Sequence, residues 1–276
     1  MKVFEQNEKY TLYQGDTLEV LKELPSDSVD MIITSPPYNI DLHNRKDTNI
    51  AHYDTYQDNK SWEEYCDYQT KVLDECYRIV KSGGALFYNH KDKFKDEVYH
   101  NPITILFNSK WSIKQNIIWD RGSAICYNCG MFGDVYENIY YCYKGVSPKT
   151  KPHHNKLGTI WKLGRELQND HPAPFPLELP LRCIYSIQDN EENKVVMDIY
   201  NGSGTTGVAS LLLNDKYIGI DISENYLKSS KKRLDNYMKE QERGQKEIDK
   251  HYVESPYISP KKINGELNLF DFMENN

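Results

Sequence analysis

The chain has 276 residues, 38% of them hydrophobic and 27% charged, with a net charge of −7. That suffices for one large α/β domain, or one domain with an inserted lobe, and is too apolar for a disordered chain. The acidic balance excludes a general nucleic-acid coat but not a local basic groove, and no apolar run is long enough to predict a membrane span.

Asp16, with Glu19 three residues on, predicts a capped helix reaching Leu24. The apolar run Val29-Asp30-Met31-Ile32-Ile33 predicts a buried strand over 29–34, ended by Pro36 and Pro37. Residues 39–60 are polar and aperiodic, a long loop of the kind that carries function. Ser61 and Glu64 form a capping-box signature. Trp62, Tyr65, Cys66, Val72, Leu73, Cys76 and Val80 follow at helical spacing, with Gly83-Gly84 expected to close that helix. Strands are expected at 85–89, 116–119 and 138–143. Residues 144–170 read as an irregular insert: between Lys144 and Arg165 lie Lys149, Lys151, Lys156 and Lys162, two histidines and no acid. A helix over 177–188, a strand over 194–200, a glycine-rich turn, a helix over 205–214 and a strand over 217–221 follow. Ser223 caps a last helix to about Arg243. Residues 244–276 read as a polar tail.

This alternation predicts an α/β fold, a doubly wound, mostly parallel sheet with helices on both faces. It divides into a first half over 1–143, the basic insert over 144–170 as candidate recognition region, a ligand-binding half over 171–243, and the tail. Six cysteines fit reduced thiols, and the first residues lack the apolar core of a signal peptide, so a cytoplasmic protein is expected. Cys126 and Cys129 have metal-ligand spacing without a second pair nearby, so no metal is expected. The 22 tyrosines suit half-buried positions and also base stacking.

Asn201-Gly202-Ser203-Gly204-Thr205-Thr206-Gly207 stands between a strand and a helix, with Asp221 ending the next strand. Such a turn lets a nucleotide-type ligand approach the backbone, and the acid accepts from ribose hydroxyls. No Lys-Ser/Thr follows the last glycine, so it is not a P-loop. Asp198 would oppose a diphosphate and attract an ammonium or sulfonium. This favours S-adenosylmethionine over a nicotinamide dinucleotide, which stays as the alternative.

Ser35-Pro36-Pro37-Tyr38 resembles the catalytic motif of amino-group DNA methyltransferases, and residues 198–207 resemble their cofactor motif. Tyr13-Gln14-Gly15-Asp16, Ile118-Trp119-Asp120 with Glu137, and His171-Pro172-Ala173-Pro174-Phe175-Pro176 resemble further motifs, in an order similar to the β-class of the restriction-modification type. Ile199, Tyr200 and Asn201 depart from the usual residues of the cofactor motif, and the variable region is short. The resemblance covers roughly residues 10–235. It implies a Rossmann-like methyltransferase that takes a flipped base from double-stranded DNA, with a homodimer and a cognate restriction endonuclease among its expected partners.

The resemblance places Ser35, Pro36, Pro37 and Tyr38 in catalysis. Asp16, Thr34, His171, Pro172, Phe175, Asp198, Tyr200, Asn201, Gly202, Ser203, Gly204, Thr205, Thr206 and Asp221 are expected around the cofactor. Asn39, Arg45, Lys46, Lys149, Lys151, His153 and Lys156 are expected on DNA. Ser35 Oγ and the Pro36 carbonyl can accept from the two hydrogens of an exocyclic amino group, and Tyr38 can stack on the base. Serine in the first motif position favours N4 of cytosine; N6 of adenine is the alternative. A non-catalytic DNA-binding protein is a further reading, which the intact pairing of the two motifs disfavours.

Overall fold

The computed structural model describes residues 1–39, 59–95, 97–122, 130, 132–149, 158–164, 175–187 and 193–239. In chain order the elements are β1 (Lys2–Gln6), β2 (Tyr10–Gln14), α1 (Thr17–Glu23), β3 (Val29–Thr34), α2 (Trp62–Ile79) and β4 (Val80–His90). A small hairpin of β5 (Lys93–Lys95) and β6 (Val98–His100) follows, then α3 (Ile103–Phe107), β7 (Ser112–Asp120), β8 (Tyr136–Tyr143) and β9 (Ile160–Lys162). The chain continues through α4 (Glu178–Ile187), β10 (Val195–Asp198), α5 (Thr205–Leu212), β11 (Lys216–Asp221) and α6 (Glu224–Asp235).

Among the described residues the main sheet runs β1-β2-β11-β10-β3-β4-β8-β7-β9. From β2 to β4 every neighbouring pair is parallel, while β1 and β8 run against the rest. Strand alternation sends the side chains to two cores. Ile32, Leu86, Tyr88 and Met197 pack with Val20, Leu21, Val72, Leu73 and Ile105 of α1, α2 and α3. Met31, Ile33, Ala85, Phe87 and Val196 pack with Leu181, Val208, Ala209, Leu227 and Leu234 of α4, α5 and α6. This is the doubly wound sheet expected from the sequence, and each fully buried Leu or Ile contributes about 1.5–3 kcal/mol.

The capping box at α2 is complete: Glu64 N donates to Ser61 Oγ at 3.2 Å and Ser61 N to Glu64 Oε2 at 3.1 Å. At α1 only half forms, because Asp16 accepts from Glu19 N while the Glu19 carboxylate pairs with Lys22. Three expectations are corrected. The α2 helix stops at Ile79, ahead of Gly83-Gly84, because Val80 is already extended and paired with Val29. The two glycines instead let β4 bulge past β3: a Cβ on Gly84 would lie 2.6 Å from the Asp30 carbonyl oxygen. Part of the supposedly irregular insert is a strand, β9, which lies parallel to β7 and buries Trp161. Finally, the last helix is interrupted: α6 ends at Asp235 with Asn236 as its C-cap, residues 237–239 are helical again, and residues 240–243 lie outside the described residues.

Candidate active site

The sheet reverses its winding between β3 and β10. From β3, α2 carries the chain outward to β4; from β10, α5 carries it outward to β11 on the other side. A ligand crevice belongs at the carboxyl ends of such a pair. One bond ties the pair at that end, Thr34 Oγ1 donating to Asp198 Oδ1 at 2.8 Å. The proline motif and the glycine turn therefore lie side by side.

On the proline side, Tyr65 Oη of α2 lies 2.9 Å from the Pro37 carbonyl oxygen and 2.7 Å from His90 Nε2. His90 is fully buried, and burial pushes its imidazole down to about 3, so the ring is neutral. Its Nδ1 donates to the Lys91 carbonyl at 2.8 Å, leaving Nε2 to accept from Tyr65, an assignment made from the surrounding bonds. The His90 ring stacks on Tyr38 with centroids 4.7 Å apart and fixes its plane. No described residue donates to the Pro36 carbonyl.

The Ser35 and Tyr38 hydroxyls meet at 2.7 Å. Tyr38 Oη lies 2.8 Å from Glu137 Oε2 at the start of β8. Asn89 Nδ2, at the end of β4, donates to Tyr38 Oη at 2.7 Å and to Glu137 Oε2 at 2.9 Å, and stands 3.3 Å from Ser35 Oγ. Glu137 Oε1 pairs with Arg121 Nη1 at 3.0 Å, which balances a buried carboxylate. Asn89 Oδ1 is buried without a partner. Reversing the amide would set its oxygen against the Glu137 carboxylate, so this orientation is required.

On the glycine side, Asp16, Asp221 and Asp198 stand at the ends of the adjacent strands β2, β11 and β10. Asp198 is buried, and burial pushes its carboxyl up to about 6, although bonds from Thr34, the Tyr200 amide and Thr206 pull the other way. Thr206 Oγ1 reaches Asp198 Oδ2 at 2.9 Å and Tyr200 N reaches Oδ1 at 3.1 Å, so this carboxylate holds the turn together. Asp221 accepts from Gly202 N at 2.7 Å through Oδ2 and from Ser223 N at 2.9 Å through Oδ1. Gly204 has φ 80°, and a Cβ there would lie 2.3 Å from Ser230 Oγ, so the turn closes only with glycine. Beneath it, Arg233 Nη1 donates to the Ser203 carbonyl and to Thr205 Oγ1 at 2.9 Å and 3.1 Å. Asn201 Oδ1 takes bonds from Tyr217 and Ser230, and Tyr200 Oη one from Gln69. Asp16 Oδ2 accepts from Tyr68 Oη.

The fold thus gathers Thr34 through Tyr38 with Asp16, Asp221 and residues 198–206. Asn39 is buried, and its amide bonds both the N and the O of Lys60 at 2.8 Å. Its side chain joins residue 39 to residue 60 instead of projecting outward. Phe175 lies buried in the α4–α6 core. Lys149 is exposed, while Arg45, Lys46, Cys126, Cys129, Lys151, His153, Lys156, His171 and Pro172 lie outside the described residues. No group of three or more His, Cys, Asp or Glu suited to a metal occurs among the described residues. Sequence reasoning missed Asn89, His90, Arg121 and Tyr65, and took Glu137 only as part of a strand pair. Asn89-His90, a polar pair ending the apolar run 85–88, was a readable signal; Arg121 had none.

Residues 29–232 match the model of a family described as DNA methylase. The chain is 26% identical over 253 residues to the type II methyltransferase M.BglII of Bacillus subtilis, an alignment covering 78% of this chain and 66% of that one. It is 28% identical over 266 residues to the DNA adenine methyltransferase YhdJ of Escherichia coli (strain K12), covering 83% of this chain and 84% of the other. The PvuII DNA methyltransferase, described as cytosine-N4-specific, superimposes with a TM-score of 0.67 at 19% identity, over 88% of this chain and 94% of that one. No described helix is long and apolar enough to cross a membrane.

Proposed function

The chain belongs to the DNA methylase family, and from that premise we propose that it transfers a methyl group from S-adenosyl-L-methionine to N4 of a cytosine flipped out of double-stranded DNA. The carrying observation is the placement of Ser35 Oγ at the carboxyl end of β3, one residue from the Thr34–Asp198 bond that joins the proline motif to the glycine turn. Asp16, Asp198 and Asp221 favour a ligand with cationic groups and ribose hydroxyls over a dinucleotide diphosphate.

An exocyclic amino nitrogen is a poor nucleophile, because its lone pair is conjugated with the ring. Acceptors on both of its hydrogens turn it toward tetrahedral geometry and aim the lone pair at the sulfonium methyl. Ser35 Oγ and the Pro36 carbonyl are such acceptors, held by prolines with no competing N–H. The Tyr38 ring, fixed by His90, offers a platform for the base. Transfer is then an in-line displacement governed by positioning. Serine at position 35 favours cytosine N4; N6 of adenine is the second reading, since an adenine methyltransferase stands among the relatives.

The test is incubation with DNA and labelled S-adenosylmethionine, digestion, and identification of the methylated nucleoside. N4-methylcytosine is expected, N6-methyladenine would transfer the activity to the second base, and no methylated nucleoside would overturn the reading. Ser35→Ala should lower the transfer rate about 100-fold with cofactor affinity unchanged.

A further inference from the structure

Hydrogen counting in the Ser35–Tyr38–Asn89–Glu137 cluster leaves one consistent arrangement. Asn89 has two N–H protons, and its short contacts are Tyr38 Oη at 2.7 Å and Glu137 Oε2 at 2.9 Å. A carboxylate oxygen carries no proton, so Tyr38 must donate its single proton to Glu137 across 2.8 Å. Tyr38 Oη is then an acceptor toward everything else, and the 2.7 Å contact with Ser35 is a bond that Ser35 donates. The hydroxyls point one way: Ser35 to Tyr38, Tyr38 to Glu137. With its proton turned inward, Ser35 presents its lone pairs outward, where an amino group must be met. Each bond in such a chain polarises the next, which strengthens Ser35 as an acceptor.

We infer that Tyr38 and Glu137 form a proton relay behind Ser35, with the Glu137 carboxylate as the sink for the proton that methylation releases. This rests on the methyl-transfer reading above and adds to it a destination for the proton. In the step, the amino lone pair forms the N–C bond to the methyl carbon as the C–S bond breaks and its electron pair returns to sulfur, giving a neutral thioether. The nitrogen, now cationic, gives one proton to Ser35 Oγ. Ser35 passes its own proton to Tyr38 Oη, and Tyr38 passes its own to Glu137 Oε2. Serine and tyrosine end neutral and reoriented, and Glu137 ends as a carboxylic acid with Arg121 still on its other oxygen. An amino nitrogen whose lone pair belongs to an aromatic ring becomes a strong acid once alkylated and cationic, which drives its proton into the relay. Asn89 is a positioning residue, because its amide holds Tyr38 Oη and Glu137 Oε2 in register.

The relay is tested by single-turnover methylation of DNA across a pH series in H2O and D2O, comparing the wild type with Tyr38→Phe and Glu137→Gln. Tyr38→Phe keeps the ring and removes the relay oxygen, and it stands as the independent variant should Glu137→Gln, which leaves Arg121 uncompensated, fail to fold. The expected result is a single-turnover rate about 10–100-fold lower in each folded variant, at unchanged affinity for S-adenosylmethionine and DNA. The wild type should show an acid limb and a solvent isotope effect that both variants lose. Variants that keep the wild-type limb and isotope effect, whatever their absolute rates, would overturn the relay and leave the methyl-transfer reading intact. A wild type that methylates no DNA would remove that reading, and the relay with it.

Discussion

Asp198 and His90 are both buried, and they pull acid stability in opposite directions. The Asp198 carboxyl is raised to about 6, so between its ordinary value of 3.8 and 6 the folded state holds a proton that the unfolded chain has released. Its contribution is therefore largest in acid and lost as pH rises through about 6. His90 is lowered from 6.5 to about 3, so through that window the unfolded chain binds a proton that the folded state refuses. Its contribution is present above 6.5 and lost as pH falls toward about 3. From pH 7 to pH 5 the two offset only in part: about 1 kcal/mol gained at Asp198 against about 2 kcal/mol lost at His90, a net loss of about 1 kcal/mol. Urea unfolding at those two pH values should separate them. Relative to the wild type, Asp198→Asn should steepen the loss in acid by about 1 kcal/mol, and His90→Asn should relieve it by about 2 kcal/mol. Equal pH dependence in all three proteins would show that neither group titrates as its burial implies. At this scale the motif residues were legible and their supports were not. Ser35 and Gly204 sit in local patterns, whereas Asn89, Arg121 and Tyr65 become neighbours of the motif only when β4, β7 and α2 are brought to β3.

The elements were legible wherever a local cap or a long apolar period decided them. The α2 helix is the plainest case, with both bonds of its capping box formed and Tyr65, Val72, Leu73, Cys76 and Ile79 buried along one face. Ser61→Ala should cost about 1 kcal/mol of unfolding free energy by denaturant titration. A smaller loss in methyl transfer should accompany it, because Tyr65, on the first turn of this helix, donates to His90, whose ring stacks on Tyr38. Full stability in that variant would mean the helix start is held by packing alone. Element boundaries failed where tertiary pairing overrode the local signal. Gly83-Gly84 reads as a helix stop, yet Val29 had already drawn Val80 into the sheet. The short strands β1 and β9 were missed because edge strands alternate weakly and draw their order from one neighbour.

For the whole molecule, the net charge of −7 must coexist with binding a polyanion. Cations confined to one face reconcile the two, and the acid-free run over 144–165 is the face the sequence offers. Neutralising Lys149, Lys151 and Lys156 together should weaken DNA binding and reduce the slope of log affinity against log salt by roughly 3. An unchanged slope would place the DNA groove elsewhere on the surface. The doubly wound class was legible from the alternation of strands and helices, but the order of strands was not, because β10 and β11 insert between β2 and β3. That insertion governs how the chain can be made. During synthesis the β1–β2 hairpin and the β3–β4 pair emerge first, with β11 not yet present to pair with β2 and with β3 as a bare edge. The residues of Thr34 and Asp198, 164 positions apart, meet only after β10 has been translated and seated. A polypeptide released early therefore carries the proline motif without a methyl donor site, and its open edge marks it for aggregation or degradation. Any activity that needs both motifs side by side therefore waits until the central strands are in place.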